Sequence, residues 1–291
     1  MRGIIMAGGT GSRLYPLTAA VSKQLMPVYD KPLIYYPLAT CMQLGIKEIA
    51  LITASKTITH YRDLLRDGSQ WGIQIRYIVQ ENPNGIAEAF ILAENFVGED
   101  NICLLLGDNI FAHMKYDQIK KKTDHLTGAI VFGVAVTNPH LYGVIELDKQ
   151  FNVKSIEEKP DRPKSNYAIP GLYLYDSSVV EIAKGLEPSP RGELEITDIN
   201  NIYRKNGQIR CIVLDNQARW FDAGTPDRLL DASNYIREEQ RKGNYIAVLE
   251  EIALDQGFIN VGQFISFAEK YRYTRYGKHL LHLLEMKQRN D

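Results

Sequence analysis

The sequence predicts an α/β fold with a Rossmann-like, doubly wound mixed sheet. Fully apolar runs such as 102–106 are typical of strands that are buried on both faces. In the first half of the chain these runs alternate with segments whose apolar residues recur at helical spacing, which is the pattern of βαβ units. Short strands predominate from residue 129, and the pattern from residue 244 is helical. We therefore expect one main sheet, a β-rich part built on it, and C-terminal helices.

The first half of the chain supplies the parallel part of this sheet. The predicted strands are 4–6, 48–53, 73–79 and 102–106, and the predicted helices are 31–44, 58–66 and 85–96. Gly45 and Gly68 are suitable helix ends, and Pro37 predicts a kink in the first helix. Ligands of such sheets lie beyond the carboxyl ends of the strands, so we expect the functional site there.

The second half is predicted to add shorter strands and further helices. The strands are 130–136, 142–147, 153–158, 172–175 and 208–214, and the helices are 192–203 and 227–239. Thr225 and Pro226 form a good start for the second of these helices. We divide the chain into two regions. The first is a domain at 1–240, whose parts at about 1–125 and 126–220 are built on one sheet. The second is a helical segment at 241–291, which packs on the core or forms a subunit interface.

Composition limits the class of protein. The chain has 291 residues, of which 45% are hydrophobic, and its net charge near −1 offers no basic face for nucleic acid. The three cysteines (41, 103 and 211) lack the spacing of a disulfide framework or a zinc site. The sequence shows no apolar leader and no apolar run approaching the ~20 residues of a membrane span. We therefore expect a cytoplasmic protein without a membrane or nucleic-acid partner.

A glycine-rich turn after the first strand is the first candidate for a binding site. Gly8, Gly9 and Gly11 allow the backbone to fold closely around a ligand, and exposed amides in such a turn bind anions. The spacing fits neither the dinucleotide fingerprint nor the Walker loop. Arg13 and Lys23 follow, so two cations and several amides converge on a polyphosphate in this interpretation. A purely structural turn is the alternative.

Asp108 is the first candidate metal ligand. It follows the most apolar strand, so it is predicted to lie at the edge of the sheet where the glycine-rich turn also emerges. A carboxylate at that edge suits a divalent ion, although Asp is also common in ordinary turns. The six histidines show no metal-binding or catalytic spacing.

Several stretches match one known family in residues and in order. They are Gly8-Gly-Thr-Gly-Ser-Arg13 continuing through Leu14-Tyr-Pro-Leu-Thr18 to Lys23 and Lys31-Pro32, Gln80-Glu-Asn-Pro-Asn-Gly85, Leu106-Gly-Asp-Asn109, Tyr142-Gly143, Glu157-Glu-Lys-Pro160, Arg191-Gly-Glu-Leu-Glu-Ile-Thr-Asp198 and Trp220-Phe-Asp-Ala-Gly-Thr225. On these motifs the chain resembles the sugar-1-phosphate nucleotidyltransferases over nearly its whole length. Lys23-Gln-Leu-Met-Pro27 is typical of the branch that uses dTTP.

The resemblance implies a reaction and a cofactor. A phosphate oxygen of glucose 1-phosphate attacks the α-phosphorus of dTTP with Mg²⁺, giving dTDP-glucose and pyrophosphate, the first step toward dTDP-rhamnose-type deoxysugars. The implied catalytic residues are Arg13, Lys23, Asp108, Lys159 and Asp222, with Asp108 and Asp222 holding the metal. Arg13 holds the leaving pyrophosphate and Lys159 the incoming sugar phosphate. An ordinary solvated lysine is the alternative for Lys159.

The resemblance also implies two sets of binding residues. The nucleotide set is Gly8, Gly9, Thr10, Gly11, Ser12, Arg13, Lys23, Gln24, Gln80, Gly85 and Asp108, and the sugar-phosphate set is Asn109, Gly143, Glu158, Lys159, Leu172 and Arg191. Gln80 and Gly85 face the thymine, but a glutamine amide does not distinguish thymine from uracil. Members of the family are commonly homotetramers, and some are inhibited by a downstream dTDP-sugar between subunits.

Other functions remain open at this point. The same class of enzyme with UTP, ATP or CTP as donor is the first, and a catalytically idle nucleotide-sugar sensor is the second. The presence of Arg13 and of both aspartates argues against the sensor. A Rossmann dehydrogenase is disfavoured because its glycine spacing is lacking.

Overall fold

The computed structural model describes residues 1–9, 11–123 and 125–288. Thr10, which belongs to the expected nucleotide-binding set, therefore lies outside the described residues.

The strands form one large sheet and two small ones. They are β1 (Arg2–Met6), β2 (Pro27–Val28), β3 (Lys31–Pro32), β4 (Glu48–Thr53), β5 (Gln74–Val79), β6 (Ile102–Leu106), β7 (Asn109–Ala112), β8 (Ala129–Ala135), β9 (Gly143–Leu147), β10 (Val153–Glu158), β11 (Tyr167–Ala168), β12 (Leu172–Tyr175), β13 (Ile209–Val213) and β14 (Arg219–Asp222). The ten-stranded sheet has the order β10-β9-β11-β8-β12-β6-β1-β4-β5, with β13 paired to β8. β1 is parallel to β4 and β6, whereas β12 is antiparallel to β6 and β8. The expected doubly wound mixed sheet is confirmed.

The α-helices cover this sheet and form the C-terminal segment. They are α1 (Tyr35–Gln43), α2 (Ile58–Leu65), α3 (Glu88–Leu92), α4 (Glu94–Val97), α5 (Tyr116–Thr123), α6 (Val179–Lys184), α7 (Ile196–Lys205), α8 (Pro226–Arg241), α9 (Leu249–Asp255), α10 (Val261–Lys270) and α11 (Arg275–Gln288). Within the described ranges no helix is long and apolar enough to cross a membrane.

Two apolar clusters form the core on opposite faces of the sheet. Successive strand residues point to opposite faces, and the neighbours Ile4 and Ile5 accordingly belong to different clusters, as do Leu104 and Leu105. All four side chains are buried. The apolar runs in the sequence are thus explained by strands that are covered on both sides.

The carboxyl ends of β1 and β6 lie side by side and position the loops that follow them. β1 and β6 are in parallel register from Arg2↔Ile102 to Met6↔Leu106. The Gly107 amide then donates to the Met6 carbonyl at 2.8 Å. The glycine-rich turn and Asp108 therefore emerge at the same edge of the sheet, as expected for a ligand site in this fold.

A two-stranded ribbon, β7 with β14, was not predicted and is important for the site. The strands are antiparallel, with Asn109 opposite Asp222. The Ala223 amide also donates to the Asp108 carbonyl at 2.9 Å. The ribbon thereby holds the two aspartates, which are distant in sequence, beside each other.

The predicted helix at 31–44 is partly wrong. Residues 31–32 instead form β3, which pairs with β2 in a small hairpin. The Tyr36 hydroxyl donates to the Val28 carbonyl at 2.9 Å and ties this hairpin to α1. Because α1 begins at Tyr35, Pro37 lies in its first turn, where a helix needs no amide donor. A proline at that position does not interrupt the helix, so Pro37 provides no reason for the kink that we expected.

The predicted helix at 85–96 is also partly wrong, because it is divided into α3 and α4 and begins later. Ala93 leaves the helical region between them, with φ −96° and ψ 10°. Gly85 lies outside the helix at φ 107°, in the left-handed region. A Cβ there would approach the Leu194 carbonyl oxygen to 2.4 Å, so close backbone contact explains the glycine.

Other boundaries agree with the sequence prediction. The bounds of β4, β6, β10 and β12 are those predicted. The Thr225 hydroxyl accepts a hydrogen bond from the Arg228 amide and caps α8, with Pro226 at the first helical position. The residues after 248 form three helices whose inner faces bury Phe264, Ala268 and Leu280.

Candidate active site

The glycine-rich turn forms one side of a cavity of about 360 Å³. Its lining includes Gly8, Gly9, Gly11, Ser12, Arg13, Lys23, Gln24, Gln80, Gly85 and Asp108. Gly11 has φ 61°, and a Cβ there would lie 2.8 Å from Cγ2 of Thr18, so this turn requires glycine. The structure therefore brings together every described residue of the expected nucleotide-binding set.

Two buried glutamines lie in the nucleotide part of this cavity. Gln24 Oε1 accepts from the Ser22 hydroxyl at 2.9 Å and from the Tyr61 hydroxyl at 3.3 Å. Gln80 Nε2 donates to Glu88 at 2.7 Å. These contacts fix the orientation of both amides. Sequence reasoning missed Tyr61 and Glu88, because each acts through a glutamine that is distant in sequence or on another element.

Lys23 and Arg13 supply the positive charge of the cavity. The Lys23 ammonium forms an ion pair with the Asp108 carboxylate, and the two side chains are only 10% and 20% exposed. Arg13 lies on the short 3₁₀ turn after the glycines. A Cβ on Gly224 would be 2.9 Å from both the Arg13 guanidinium and the Asp222 carboxylate. Gly224 therefore leaves space for these two groups.

Asp108 and Asp222 form a carboxylate pair at the centre of the site. Burial raises the pKa of Asp222, and the negative charge of Asp108 raises it further. The positive charges of Lys23 and Arg228 act in the opposite direction. Arg228 also contacts Asp222 directly at 2.6 Å. Two nearby carboxylates among these cations are suited to a divalent ion that completes its coordination with phosphate oxygens and water.

Asn109 fixes the geometry beside Asp108. Its Nδ2 donates to Asp108 Oδ1 at 2.9 Å, and its Oδ1 accepts from the Gly171 amide at 2.9 Å and from Trp220 Nε1 at 2.6 Å. Asn109 is only 3% exposed. We expected it to bind the sugar phosphate, and in this structure its amide orients the Asp108 carboxylate.

A second cavity of about 230 Å³ contains the other expected set. Gly143, Glu158, Lys159 and Arg191 line it together with Asn109. Glu158 Oε2 accepts from the Thr197 hydroxyl at 2.7 Å. A Cβ on Gly143 would be 3.4 Å from Glu158 Oε2, which explains how a ligand approaches the backbone there.

Three cations line the second cavity, and two of them, Lys159 and Arg191, differ in their contacts. Lys159 Nζ lies 3.4 Å from Glu158 Oε1, and its side chain is half exposed. Arg191 instead forms a close pair with Glu195 at 2.8 Å. Lys159 is therefore the freer of the two to meet a phosphate.

Leu172 is the one member of the sugar-phosphate set that the structure does not bring to the cavity wall. Its side chain is fully buried on β12, opposite Leu105. The neighbouring Ile169 and Gly171 line the cavity instead. The alternation of side chains along the strand explains the difference, because Leu172 points into the core. Sequence reasoning had no means to fix this register.

Arg13 and Asp108 line both cavities, which therefore meet at these residues. Leu106, Ile86 and Glu193 are also common to both. The nucleotide and sugar sets thus occupy two halves of one cleft, with a cation and a carboxylate at the junction.

The cleft and the sheet define a class of enzyme that joins a nucleotide to a second substrate, and comparison with known proteins agrees. The sequence model described as "Nucleotidyl transferase" matches residues 2–239. The chain belongs to this family and is an enzyme of the nucleotidyltransferase class. The resemblance inferred from the motifs is confirmed.

Relatives with similar sequences belong to one branch of that family. The chain is 48% identical over 286 residues to the glucose-1-phosphate thymidylyltransferase of Neisseria gonorrhoeae, covering 98% of this chain and 99% of the relative. It is 46% identical to the enzyme of the same name from Mycobacterium tuberculosis, with the same coverage.

Solved structures agree with the fold. A Bacillus anthracis protein whose crystal structure bears the name glucose-1-phosphate thymidylyltransferase matches with a TM-score of 0.77 and 42% identity, covering 82% of this chain and 96% of that one. A UDP-glucose pyrophosphorylase with bound UDP-glucose matches with a TM-score of 0.72 at 23% identity, covering 82% and 98%, and indicates the fold alone.

Proposed function

We propose that this enzyme transfers a thymidylyl group from dTTP to glucose 1-phosphate, giving dTDP-glucose and pyrophosphate. The observation that carries the proposal is the single cleft in which a glycine-lined half and a half lined by Glu158 and Lys159 meet at Arg13 and Asp108. A cleft of this form holds a triphosphate on one side and a sugar phosphate on the other. The names of the close relatives support the same substrates.

The reaction requires no nucleophile from the protein. An oxygen of the sugar phosphate forms a bond to the α-phosphorus of dTTP, and the bond from that phosphorus to the pyrophosphate oxygen breaks. Phosphate is already ionised at neutral pH, so no base is needed to activate it. No histidine or cysteine is found among the described residues that line the two cavities. Catalysis then consists mainly of positioning and of charge neutralisation.

The cations have separate roles in this proposal. The amides of the glycine-rich turn and Lys23 bind the triphosphate, and Arg13 holds the pyrophosphate as it leaves. Lys159 binds the incoming sugar phosphate, while Glu158 accepts hydrogen bonds from sugar hydroxyls. In support of these roles, the glycine-rich turn and Lys23 line the first cavity, Glu158 and Lys159 line the second, and Arg13 lines both.

Asp108 and Asp222 would hold Mg²⁺. Mg²⁺ commonly binds proteins through one or two carboxylates and takes its remaining oxygens from phosphates and water, which fits a partly buried pair of aspartates beside a phosphate site. When bound, the ion neutralises phosphate charge during the transfer. In the ligand-free protein Lys23 and Arg228 balance the two carboxylates.

Base recognition depends on Gln80 and Gly85, with Gln24 nearby. The Gln80 amide is held by Glu88 and offers its remaining atoms to the edge of the base. Thymine and uracil have the same hydrogen-bonding edge and differ by a methyl group, which is worth about 1–3 kcal/mol. We therefore expect measurable activity with UTP.

The test is pyrophosphate release from glucose 1-phosphate with Mg²⁺, comparing dTTP, UTP, ATP, CTP and GTP under identical conditions. The fastest release with dTTP is expected. Preference for another nucleotide would overturn the assignment of the base. No release with any nucleotide or sugar phosphate would favour a nucleotide-sugar sensor.

We also propose a homotetramer whose subunits meet through the C-terminal segment at 241–291, outside a catalytic domain at 1–240. Val261, Ile265 and Met286 on α10 and α11 are exposed apolar residues that suit such an interface. Light scattering at the elution peak should give four times the monomer mass. Ile265→Glu should lower that mass, and an unchanged mass would place the interface elsewhere.

Feedback inhibition by a downstream dTDP-sugar and a cytoplasmic location stay predictions. A separate cavity of about 470 Å³ lies between α1, β7 and residues 243–255. Its described lining includes Glu251 and Asp255 but no lysine or arginine, which disfavours a diphosphate in this cavity. Initial rates with added dTDP-sugars test the inhibition, and fractionation of the producing cells tests the location.

A further inference from the structure

Asn200 lines the sugar half of the cleft. It lies on α7 and is 1% exposed. The amino group (Nδ2) of its buried side-chain amide donates no hydrogen bond to any described residue. A buried donor without an acceptor costs free energy comparable to a lost hydrogen bond, so such groups in native proteins require an explanation.

The other end of the same amide is fixed. Asn200 Oδ1 accepts from the Tyr175 hydroxyl at 2.6 Å. Tyr175 is fully buried and packs edge-on against Phe90 at 5.4 Å, with Tyr203 stacked on it at 5.6 Å. Because this packing holds the ring, the Tyr175 hydroxyl orients the carbonyl end of Asn200 and leaves the amino end without a partner among the described residues.

Asn200 continues a row of polar groups along one face of α7. Thr197 lies three residues earlier, so the two side chains share a face of the helix. Thr197 donates to Glu158, and Glu158 faces Gly143. Both Thr197 and Asn200 line the cavity. The row thus begins at the expected sugar-binding glutamate and ends at an unpaired donor.

We propose that Asn200 donates a hydrogen bond from Nδ2 to a hydroxyl of the sugar ring, and that it selects sugar 1-phosphates that carry this hydroxyl. The proposal rests on the function proposed above and names a contact within it. A sugar hydroxyl supplies the acceptor that the protein lacks. A site built to pair with a hydroxyl discriminates strongly against an analogue without it, because the buried donor is then left unpaired.

The experiment compares Asn200→Ala with the unaltered enzyme, using both the sugar phosphate and analogues that lack one hydroxyl. We would measure kcat/KM with saturating dTTP for glucose 1-phosphate and its 2-, 3-, 4- and 6-deoxy analogues. The variant should lose about 5- to 100-fold with glucose 1-phosphate. With one of the four analogues it should match the unaltered enzyme, since that analogue has already lost the contact. The KM for dTTP should not change.

Two further variants separate a sugar contact from a structural role. Asn201→Ala is the matched control, since Asn201 bonds to the Ile156 carbonyl and to Arg204 on the same helix but does not line the cavity. It should affect all five sugars equally. Tyr175→Phe keeps the ring and removes the hydroxyl that orients Asn200, so it should weaken the preference for the same hydroxyl by a smaller factor.

The results that would contradict the Asn200 contact differ from those that would contradict the proposed function. Equal losses with all five sugars in Asn200→Ala would overturn the contact while leaving the transferase activity in place. If the unaltered enzyme releases no pyrophosphate, the proposed function fails. Calorimetric titration with glucose 1-phosphate and the four analogues then decides the contact, and equal affinity of the unaltered protein for all five sugars would overturn it.

Discussion

Asp108 has contacts with groups on three different elements. Lys23 pairs with its carboxylate, Asn109 donates to it, and the Ala223 amide donates to its backbone carbonyl. Because these contacts fix the carboxylate without any ligand, a change of charge there should affect chemistry more than folding.

Asp108→Asn should lower kcat by about two to three orders of magnitude, since removal of one charge-stabilising group commonly costs about that much. Pyrophosphate release measures the loss, and circular dichroism checks the fold. The control is Asp161→Asn, because Asp161 is exposed and does not line the cleft. A rate within a few-fold of the unaltered enzyme would contradict the metal assignment.

Lys159 is held in an unusual backbone conformation beside the sugar half of the cleft. Its φ is 41°, in the region that favours glycine, and its amide donates to the Tyr142 carbonyl at 3.0 Å. Such backbone strain is often found at functional sites. It keeps the lysine at the wall of the cavity.

Lys159→Ala should raise the KM for glucose 1-phosphate about tenfold or more and change the KM for dTTP much less, because one charge-assisted contact is lost on the sugar side. Lys154→Ala on β10, the strand that ends just before Lys159, is the control, since Lys154 pairs with Glu146 and lies outside the cleft. The opposite pattern of KM values would mean that the two substrates occupy exchanged halves.

At the scale of elements, the loop before α3 and the loop before α7 fit closely against each other. The Leu194 amide donates to the Asn84 carbonyl at 2.7 Å, and the Ala87 amide donates to the Leu194 carbonyl at 3.2 Å. Gly85 lies between these bonds. The contact joins the nucleotide half of the cleft to the segment that carries the sugar-binding residues.

Gly85→Ala should therefore lower the free energy of unfolding by about 2 kcal/mol or more, through the clash with Leu194 and through backbone strain. Urea unfolding measures the change. Gly207→Ala isolates the strain, since Gly207 has φ 68° and a Cβ there meets nothing within 4 Å. Equal losses in both variants would show that the loop contact contributes nothing.

The sequence predicted the strands of the main sheet well, because these strands are buried on both faces and read as continuous apolar runs. It did not predict β7 and β14, which have only four residues each. It also did not predict α5, whose charged surface leaves Ile119 as its one buried residue. Pairing between distant segments decides such elements, and local pattern carries no information about it.

The site was predicted residue by residue where a motif exists, and the remainder depends on contacts between motifs. Arg228 against Asp222 and Tyr175 against Asn200 are pairs that only the folded chain brings together. Leu172 shows the opposite case, in which a residue beside a motif points into the core. The sequence predicted most of the residues that line the cleft, but it did not predict the direction in which each side chain points.

At the scale of the whole molecule, one cleft draws on segments from most of the sequence. Its lining extends from Met6 to Gly224. A ligand that spans both halves therefore connects the two core clusters and should stabilise them together.

dTDP-glucose at about 100 times its Kd should stabilise the protein by about 2.7 kcal/mol and raise Tm by roughly 5 °C in a single transition. Differential scanning calorimetry measures this shift. Thymidine with free glucose, which lacks the diphosphate, is the control and should have little effect. Two transitions of which only one moves would show that the halves unfold separately.

The ribbon of β7 and β14 has a consequence for the time at which activity arises during synthesis. A chain leaving the ribosome exposes Asp108 long before it exposes Asp222, and β7 has no partner strand until β14 has emerged. Until then the nascent chain has Asp108 without Asp222, and the wall of the cleft that β14 supplies is missing. We therefore expect nucleotide consumption to begin only when the last strand of the catalytic part has been made, and a prematurely terminated chain to consume no nucleotide.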